Sequence, residues 1–155
     1  MLALDIPKNV EIFRQRDVRE TAVKANTTNY YSIPGSAWTP SNPDTDQCHF
    51  INNTVVADAD GLIFYAPVNL PHGATVTKVI IYGNAGATAE TWTLYATEAD
   101  PSGNFTMATA NFGTADSTIS YAIIDNSKYT YWLYSSTIDT NDAIEGGIIT
   151  YTILE

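Results

Sequence analysis

The chain has 155 residues, with 17 acidic and 7 basic side chains and a formal net charge of −10. This balance excludes general nucleic-acid binding, which needs clustered lysine and arginine to neutralise phosphates, and the hydrophobic share of 45% excludes intrinsic disorder. A single cysteine excludes an intrachain disulfide framework, and no apolar run reaches the length of a membrane span, so we expect no membrane insertion.

The first 25 residues form a densely charged N-terminal arm. They hold five basic and four acidic side chains, whereas residues 26–155 hold two lysines and 13 acids. The apolar spacing of the arm fits either an amphipathic helix or an extended strand, and both stay open. Early charges such as Asp5 and Lys8 interrupt any secretory apolar segment, so we expect no signal peptide in this chain. The side chains through which the arm would contact another copy are Val10, Ile12, Phe13, Arg14, Arg16, Val18 and Arg19.

Residues 26–155 have the regularly spaced turn signals that are typical of an all-β domain. Turn signals built from Gly, Pro, Asn and Asp recur, and short runs of alternating polarity lie between them. The predicted strands, in chain order, are NYYSI, HFINNTVV, GLIFYAPV, TVTKVIIY, TWTLYA, NFTMATA, TISYAII, YTYWLYS and GIITYTILE, of which the first is the weakest. Eight or nine strands at this spacing predict a two-layer antiparallel β-sandwich of jelly-roll type.

Two of these strands are apolar or aromatic on both faces. YTYWLY places rings on both sides, and Leu62, Ile63, Phe64 and Tyr65 are consecutive in another strand. Two-sided hydrophobicity indicates that the outer face is covered. The cover would be the N-terminal arm, the loop 34–46 or another subunit, and the alternative is a tyrosine-rich surface exposed to water.

The sequence offers little for catalysis. Cys48 and His49 are adjacent, and adjacent side chains on a strand point to opposite faces, so the two cannot form a dyad. His72 lies in a Pro-His-Gly turn. The acidic residues lie mostly in turns, where their own backbone hydrogen bonding explains them. We therefore expect that the protein is not an enzyme.

The acidic turns are candidate calcium ligands. Ca²⁺ prefers carboxylate, amide and carbonyl oxygens, and a cation would relieve the negative charge of residues 26–155. The candidate ligands are Asp58, Asp60, Asp139, Asn141 and Asp142. None of these turns matches an EF-hand loop, and solvated turns are the alternative explanation. Calcium is the one cofactor that the sequence suggests.

Aromatic residues are the candidate ligand contacts. Trp92 and Trp132 lie within predicted strands, where packing in the core is expected. Trp38 lies in a proline-bounded loop, so we expect it to face solvent or to dock on a neighbour. Together with Tyr30 and Tyr31 it forms the predicted contact site for a glycan or a cell-surface receptor.

The stretches APVNLPHGATVTKVIIYGN and IDNSKYTYWLY resemble a pattern in bacterial surface and phage-associated β-sandwich proteins of unassigned function. The shared features are an LP-x-GAT turn that leads into a strand and a later DN-x-x-Y-x-Y strand. The matched positions are Pro71, Gly73, Ala74, Asp125, Asn126, Tyr129 and Tyr131. The resemblance implies a β-sandwich in an extracellular, virion or surface setting, and it carries no catalytic residues.

Two functions fit these observations. The first is a structural subunit of a symmetric assembly, such as a virion, a phage tail or a surface filament. It would form a homo-oligomer through the basic arm and the two-sided strands, because the arm is complementary in charge to the acidic domain. The alternative is a carbohydrate- or receptor-binding β-sandwich module that uses exposed tryptophan and tyrosine.

Overall fold

The computed structural model describes residues 25–84, 86–100 and 103–154. Within these ranges the chain forms two antiparallel sheets packed face to face, which confirms the predicted two-layer β-sandwich. Residues 1–24 of the proposed arm, including every side chain from Val10 to Arg19 named above, lie outside the described residues. Its conformation and its role in self-association therefore stay predictions.

Eleven strands are present in the described ranges. They are β1 (Asn26–Pro34), β2 (Thr39–Pro40), β3 (Cys48–Ile51), β4 (Thr54–Ala57), β5 (Phe64–Val68), β6 (Thr75–Gly83), β7 (Thr91–Glu98), β8 (Asn104–Asn111), β9 (Ala115–Asp116), β10 (Tyr129–Ser135) and β11 (Ala143–Leu154). The six-stranded sheet has the order β3-β4-β11-β6-β9, with β1 also paired to β11. The five-stranded sheet has the order β2-β5-β10-β7-β8. Single 3₁₀ turns lie at Gly35–Ala37 and Ala87–Ala89.

The predicted number of eight or nine strands is wrong for three local reasons. HFINNTVV forms two strands, because Asn52 and Asn53 adopt positive φ angles of 49° and 84° and turn the chain between β3 and β4. TISYAII forms no strand, because Tyr121 has a φ of 50° and interrupts the extended backbone. The strands β2 and β9 have two residues each, which is too short for an alternating pattern to appear.

The core lies between the sheets and follows from period-2 alternation along the strands. In β10, Tyr131 and Leu133 are buried, whereas Trp132 and Tyr134 point outward and are half-buried. The large side chains that are fully buried are Trp38, Trp92, Phe64, Phe112, Ile81, Leu94, Met107, Ile124, Leu133, Ile138, Ile144 and Ile149. In the described part of the chain, no helix is long and apolar enough to cross a membrane.

Candidate functional site

The outer face of the five-stranded sheet carries a cluster of aromatic rings. The cluster consists of Tyr65 on β5, Tyr95 on β7, and Trp132 and Tyr134 on β10, and we call it the aromatic platform. Strand register brings the four together, because Tyr65 lies opposite Tyr134 and Tyr95 lies opposite Trp132. All four rings are half-buried, so each keeps part of its surface open to solvent.

The four rings contact one another closely. The rings of Trp132 and Tyr95 are stacked, with centroids 4.8 Å apart and an interplanar angle of 30°. Tyr65 lies 5.4 Å from Trp132 and 5.8 Å from Tyr134, and the rings of Trp132 and Tyr134 meet edge to face at 6.4 Å. These separations and angles fall in the range of favourable aromatic pairs. The platform is therefore ordered by its own contacts before any ligand arrives.

The orientation of Trp132 is fixed from the β7 side. Its indole Nε1 donates a hydrogen bond of 2.6 Å to Thr97 Oγ1, and the Thr97 hydroxyl donates one of 2.7 Å to Asn104 Oδ1. Tyr95, which stacks on the indole, also belongs to β7. On the opposite side, toward β5, lies a shallow depression of about 350 Å³. Its lining residues are Thr39, Tyr65, Ala66, Pro67 and Trp132.

The platform face carries almost no charge. Among the residues of β2, β5, β7, β8 and β10, all of which the structure describes, Glu98 at the end of β7 is the only one that is charged at neutral pH. Hydroxyl groups surround the rings instead. They come from Thr39, Thr93, Thr97, Thr106, Thr109 and Thr130. This face therefore combines apolar ring surface with neutral hydrogen-bonding groups.

The structure corrects the ligand site that the sequence predicts from Trp38, Tyr30 and Tyr31. The sequence predicts that Trp38 faces solvent or docks on a neighbour, but it is 0% exposed, because its side chain packs into this chain's own core beside Phe112, with ring centroids 6.5 Å apart. Tyr30 is 69% exposed but lies on β1 in the other sheet, and its neighbour Tyr31 packs against the core. The three predicted contacts therefore do not form one site.

The expectation that Trp132 packs in the core is also wrong. The two-sided aromatic pattern of its strand is the one sequence signal for the platform, although that pattern predicts a covered outer face, with an exposed tyrosine-rich surface as the alternative. Alternation alone does not say which face of YTYWLY turns outward, because Tyr131 and Trp132 are both large and aromatic. The register with β5 decides it, since Ala66, opposite Leu133, is buried.

The two acidic turns proposed as calcium ligands do lie beside each other. The backbone N–H of Asn141 donates to the carbonyl of Ala57, and the N–H of Ala57 donates to the carbonyl of Asp142. The Asp60 carboxylate accepts hydrogen bonds from the hydroxyl and the N–H of Thr140 at 2.6 and 2.9 Å, and these donors lower its pKa, the hydroxyl most. In the described ranges, no group of three or more His, Cys, Asp or Glu side chains is placed to hold a metal. Calcium binding by Asp58, Asp60, Asp139, Asn141 and Asp142 stays a prediction.

The remaining reactive side chains lie apart from the platform. His49 Nδ1 is 2.7 Å from a carboxylate oxygen of Asp58, with both side chains partly exposed. Cys48 is half-buried beside the core on the same strand. Burial, and then the carboxylates of Asp58 and Asp46, raise the pKa of the Cys48 thiol. A raised pKa lowers the thiolate fraction and hence the nucleophilicity of this cysteine.

No family model matches the chain, and no curated protein matches it. Two solved structures are similar to it in fold. One is the C-terminal CBM6 of LamC, a marine laminarinase from Zobellia galactanivorans, with 16% identity, 79% of this chain and 99% of that chain covered, and a TM-score of 0.46. The other is the xylan-binding module CBM15, with 13% identity, 81% and 97% covered, and a TM-score of 0.42. Because both TM-scores are below 0.5, the function proposed below depends on this chain's own surface.

Proposed function

We propose that this protein is a non-catalytic carbohydrate-binding module that binds glycans on the aromatic platform, in an extracellular or surface setting. The observation that carries the proposal is the outward cluster of four rings on a sheet face that is otherwise neutral and rich in hydroxyl groups. Sugars have apolar C–H faces and polar edges, so a site of rings with convergent hydroxyls matches both parts of a sugar.

The geometry suggests where the first sugar binds. The depression beside Trp132 is bounded by Tyr65, Pro67 and Thr39, so a sugar ring placed there packs its C–H face against the indole. The hydroxyls of Tyr65, Tyr95 and Tyr134 have no hydrogen-bond partner among the described residues, so they are available to sugar hydroxyls. This assigns apolar stacking to the rings and orientation of the sugar to the hydroxyls around them.

Preorganisation favours binding at this place. Trp132 is held by the stack with Tyr95 and by the hydrogen bond to Thr97, so little side-chain entropy is lost when a sugar packs on it. A tryptophan that had to be ordered by the ligand would cost about 0.5–1.5 kcal/mol on binding. The rigid cluster therefore retains more of the stacking energy as affinity.

The test compares Trp132→Ala with Tyr30→Ala on a panel of immobilised polysaccharides. We expect the wild-type protein to bind at least one glycan, and Trp132→Ala to weaken that binding about 10-fold or more, the equivalent of about 1.4 kcal/mol. Tyr30→Ala is the matched control, because Tyr30 is the most exposed aromatic residue of the described chain and lies on the other sheet. Its binding should equal that of wild type.

Two results would contradict the proposal. One is wild-type protein that binds no glycan on the panel, and the other is Trp132→Ala protein that binds as wild type does. Circular dichroism and urea denaturation of each variant show whether the sandwich is intact, which matters because Trp132 contacts three other rings. Light scattering of the full chain and of a chain lacking residues 1–25 tests the separate prediction that the N-terminal arm drives self-association, and an unchanged oligomeric mass would contradict it.

A further inference from the structure

We infer that the ligand is an uncharged glycan chain bound lengthwise along β5 and β10, with a second subsite in the cleft beside Asn69 and Asn126. This inference rests on the proposed function, because it extends the same site. It names the charge class of the ligand, the direction in which the chain runs and two additional contact residues.

The cleft beside Asn69 and Asn126 is continuous with the depression beside Trp132. The cleft has a volume of about 400 Å³ and lies between Pro67–Leu70 on one side and Asn126 with Tyr129–Tyr131 on the other. Pro67 lines both this cleft and the depression beside Trp132. Along the same strand pair, Pro67 lies opposite Trp132 and Val68 lies opposite Tyr131. The two hollows are therefore consecutive along one seam.

The distance spanned by the depression and the cleft indicates how many sugars the surface accommodates. Tyr65 lines the depression and Asn69 lines the cleft, so four residues of nearly extended chain separate the far sides of the two hollows. At a rise of about 3.3 Å per residue this corresponds to roughly 13 Å. A single sugar in the depression would leave the cleft empty, whereas a chain of several sugars would fill both. The surface thus favours an oligosaccharide over a monosaccharide.

The cleft presents the neutral amide groups of Asn69 and Asn126. The Asn126 amide nitrogen donates a 2.9 Å hydrogen bond to the carbonyl of Leu70, and the Asn126 backbone N–H donates to His72 Nδ1 at 3.2 Å. The first bond orients the side-chain amide and leaves its Oδ1 as an acceptor, and the second fixes the backbone that carries it. Asn69 is exposed, and its side chain has no hydrogen-bond partner among the described residues. Two neutral amides beside the half-buried Tyr129 ring suit a ligand rich in hydroxyl groups.

The distribution of charged side chains indicates the charge of the glycan. Residues 26–155 contain two lysines against 13 acids. Lys78 lies on β6 of the other sheet, and the Lys128 Nζ is 3.9 Å from a carboxylate oxygen of Asp125. The strands of the platform sheet contain no cationic side chain. Among the described residues, this face therefore offers no unpaired cation to a uronic acid or a sulfated sugar, and the excess of acidic side chains would repel such a glycan, so the matching ligand is neutral.

The experiment uses titration calorimetry of the full chain with two ladders of two to six sugars, one neutral and β-linked and one of uronic acids. We expect the neutral ladder to gain about tenfold or more in affinity from the shortest to the longest member, a difference equal to one decade in Kd. The acidic ladder should bind more weakly at every length. Asn69→Ala and Asn126→Ala should reduce the affinity for the long neutral chain and leave that for the short one unchanged.

The control is Asn26→Ala, because Asn26 is an exposed asparagine at the start of β1 in the other sheet. Affinity that does not change with length, together with long-chain binding unaffected in Asn69→Ala and Asn126→Ala, would overturn the second subsite. Tighter binding of the acidic ladder would overturn the charge class. In either case, loss of glycan binding in Trp132→Ala would still support the proposed function. Glycan binding that is unchanged in Trp132→Ala would overturn the proposed function itself.

Discussion

The indole Nε1 of Trp132 donates a 2.6 Å hydrogen bond to the hydroxyl of Thr97 on the neighbouring strand. The bond joins β10 to β7 on the outer face of the five-stranded sheet, where the backbone ladder already pairs Trp132 with Tyr95. Because the Thr97 hydroxyl donates in turn to Asn104 Oδ1 at 2.7 Å, the indole lies at the start of a relay of two hydrogen bonds. Local hydrogen bonding thus sets which side of Trp132 faces the depression.

Replacement of Thr97 by valine tests this relay, because valine keeps the branched shape and removes the hydroxyl. We expect Thr97→Val to lower the free energy of unfolding by about 1–3 kcal/mol, the net value of the two hydrogen bonds that the Thr97 hydroxyl makes. Glycan affinity should fall as well, since the indole loses the hydrogen bond and keeps only its ring contacts to hold its orientation. Urea denaturation and tryptophan fluorescence measure the two effects. Thr130→Val, whose hydroxyl reaches only the Thr97 carbonyl at 3.4 Å, should change both quantities less.

The buried tryptophans Trp38 and Trp92 offer a matched pair for stability. Both are 0% exposed, but Trp92 Nε1 donates to the carbonyl of Asn111 at 3.1 Å, whereas Trp38 Nε1 has no partner among the described residues. Trp→Phe at either position leaves a similar cavity. At Trp38 it also removes a buried unpaired donor, so we expect Trp38→Phe to cost roughly 2 kcal/mol less than Trp92→Phe. Equal costs in urea denaturation would show that Trp38 Nε1 is satisfied in solution.

The sequence predicted the architecture well because period-2 alternation is a local property that each strand displays by itself. The sandwich and seven of the strand positions followed from it. It failed where a single backbone angle decides the outcome. Asn52 and Asn53 lie inside an otherwise apolar run that suggests one strand, and Tyr121 is of a type that favours strands, yet all three adopt positive φ. Two-residue strands such as β9 arise from pairing with β6, and pairing is not visible in a local pattern.

The candidate site was harder to predict for a different reason. Trp38 lies between prolines in a polar stretch, which favours an exposed loop, yet the turn at Gly35–Ala37 directs its ring into the core. The platform depends on three strands that are distant in sequence, and Tyr95 and Trp132 become neighbours only through the register of β7 with β10. Composition indicated many tyrosines, but it could not say that three of them share one outward face.

Gly35 is required by close packing of backbones. A Cβ atom at Gly35 would contact the carbonyl oxygens of Ile144 and Asn53, the latter at 2.6 Å. Neither is the free end of a flexible side chain, so β4 or β11 must shift. We expect Gly35→Ala to lower the free energy of unfolding by about 1–3 kcal/mol, as overpacked cores do. Gly103→Ala is the control, because the atoms of the described residues that its added Cβ would meet belong to the Phe105 ring, the nearest at 3.6 Å. A loss of equal size there would contradict the explanation.

The hydrogen bonds from Thr140 to Asp60 predict an acid-dependent link between two turns. The Thr140 hydroxyl, followed by the Thr140 amide, lowers the pKa of the Asp60 carboxyl. The unfolded carboxyl, with a pKa of about 3.9, therefore binds its proton more readily than the folded one does. The stabilising contribution is present above that value and is lost as the pH falls through the lower folded pKa. Acid should consequently remove the benefit of the Thr140 hydroxyl.

We expect Thr140→Val to melt below wild type at neutral pH, and the difference in melting temperature to shrink as the pH falls below about 3.9 toward 2. Thr77→Val is the matched control, because the Thr77 hydroxyl donates to the carbonyl of Thr150, which does not titrate. Its difference from wild type should stay constant over the same range. A Thr140→Val difference that is equally constant would mean that the hydroxyl stabilises the turn without favouring the ionised Asp60, and the proposed link between pH and stability would fail.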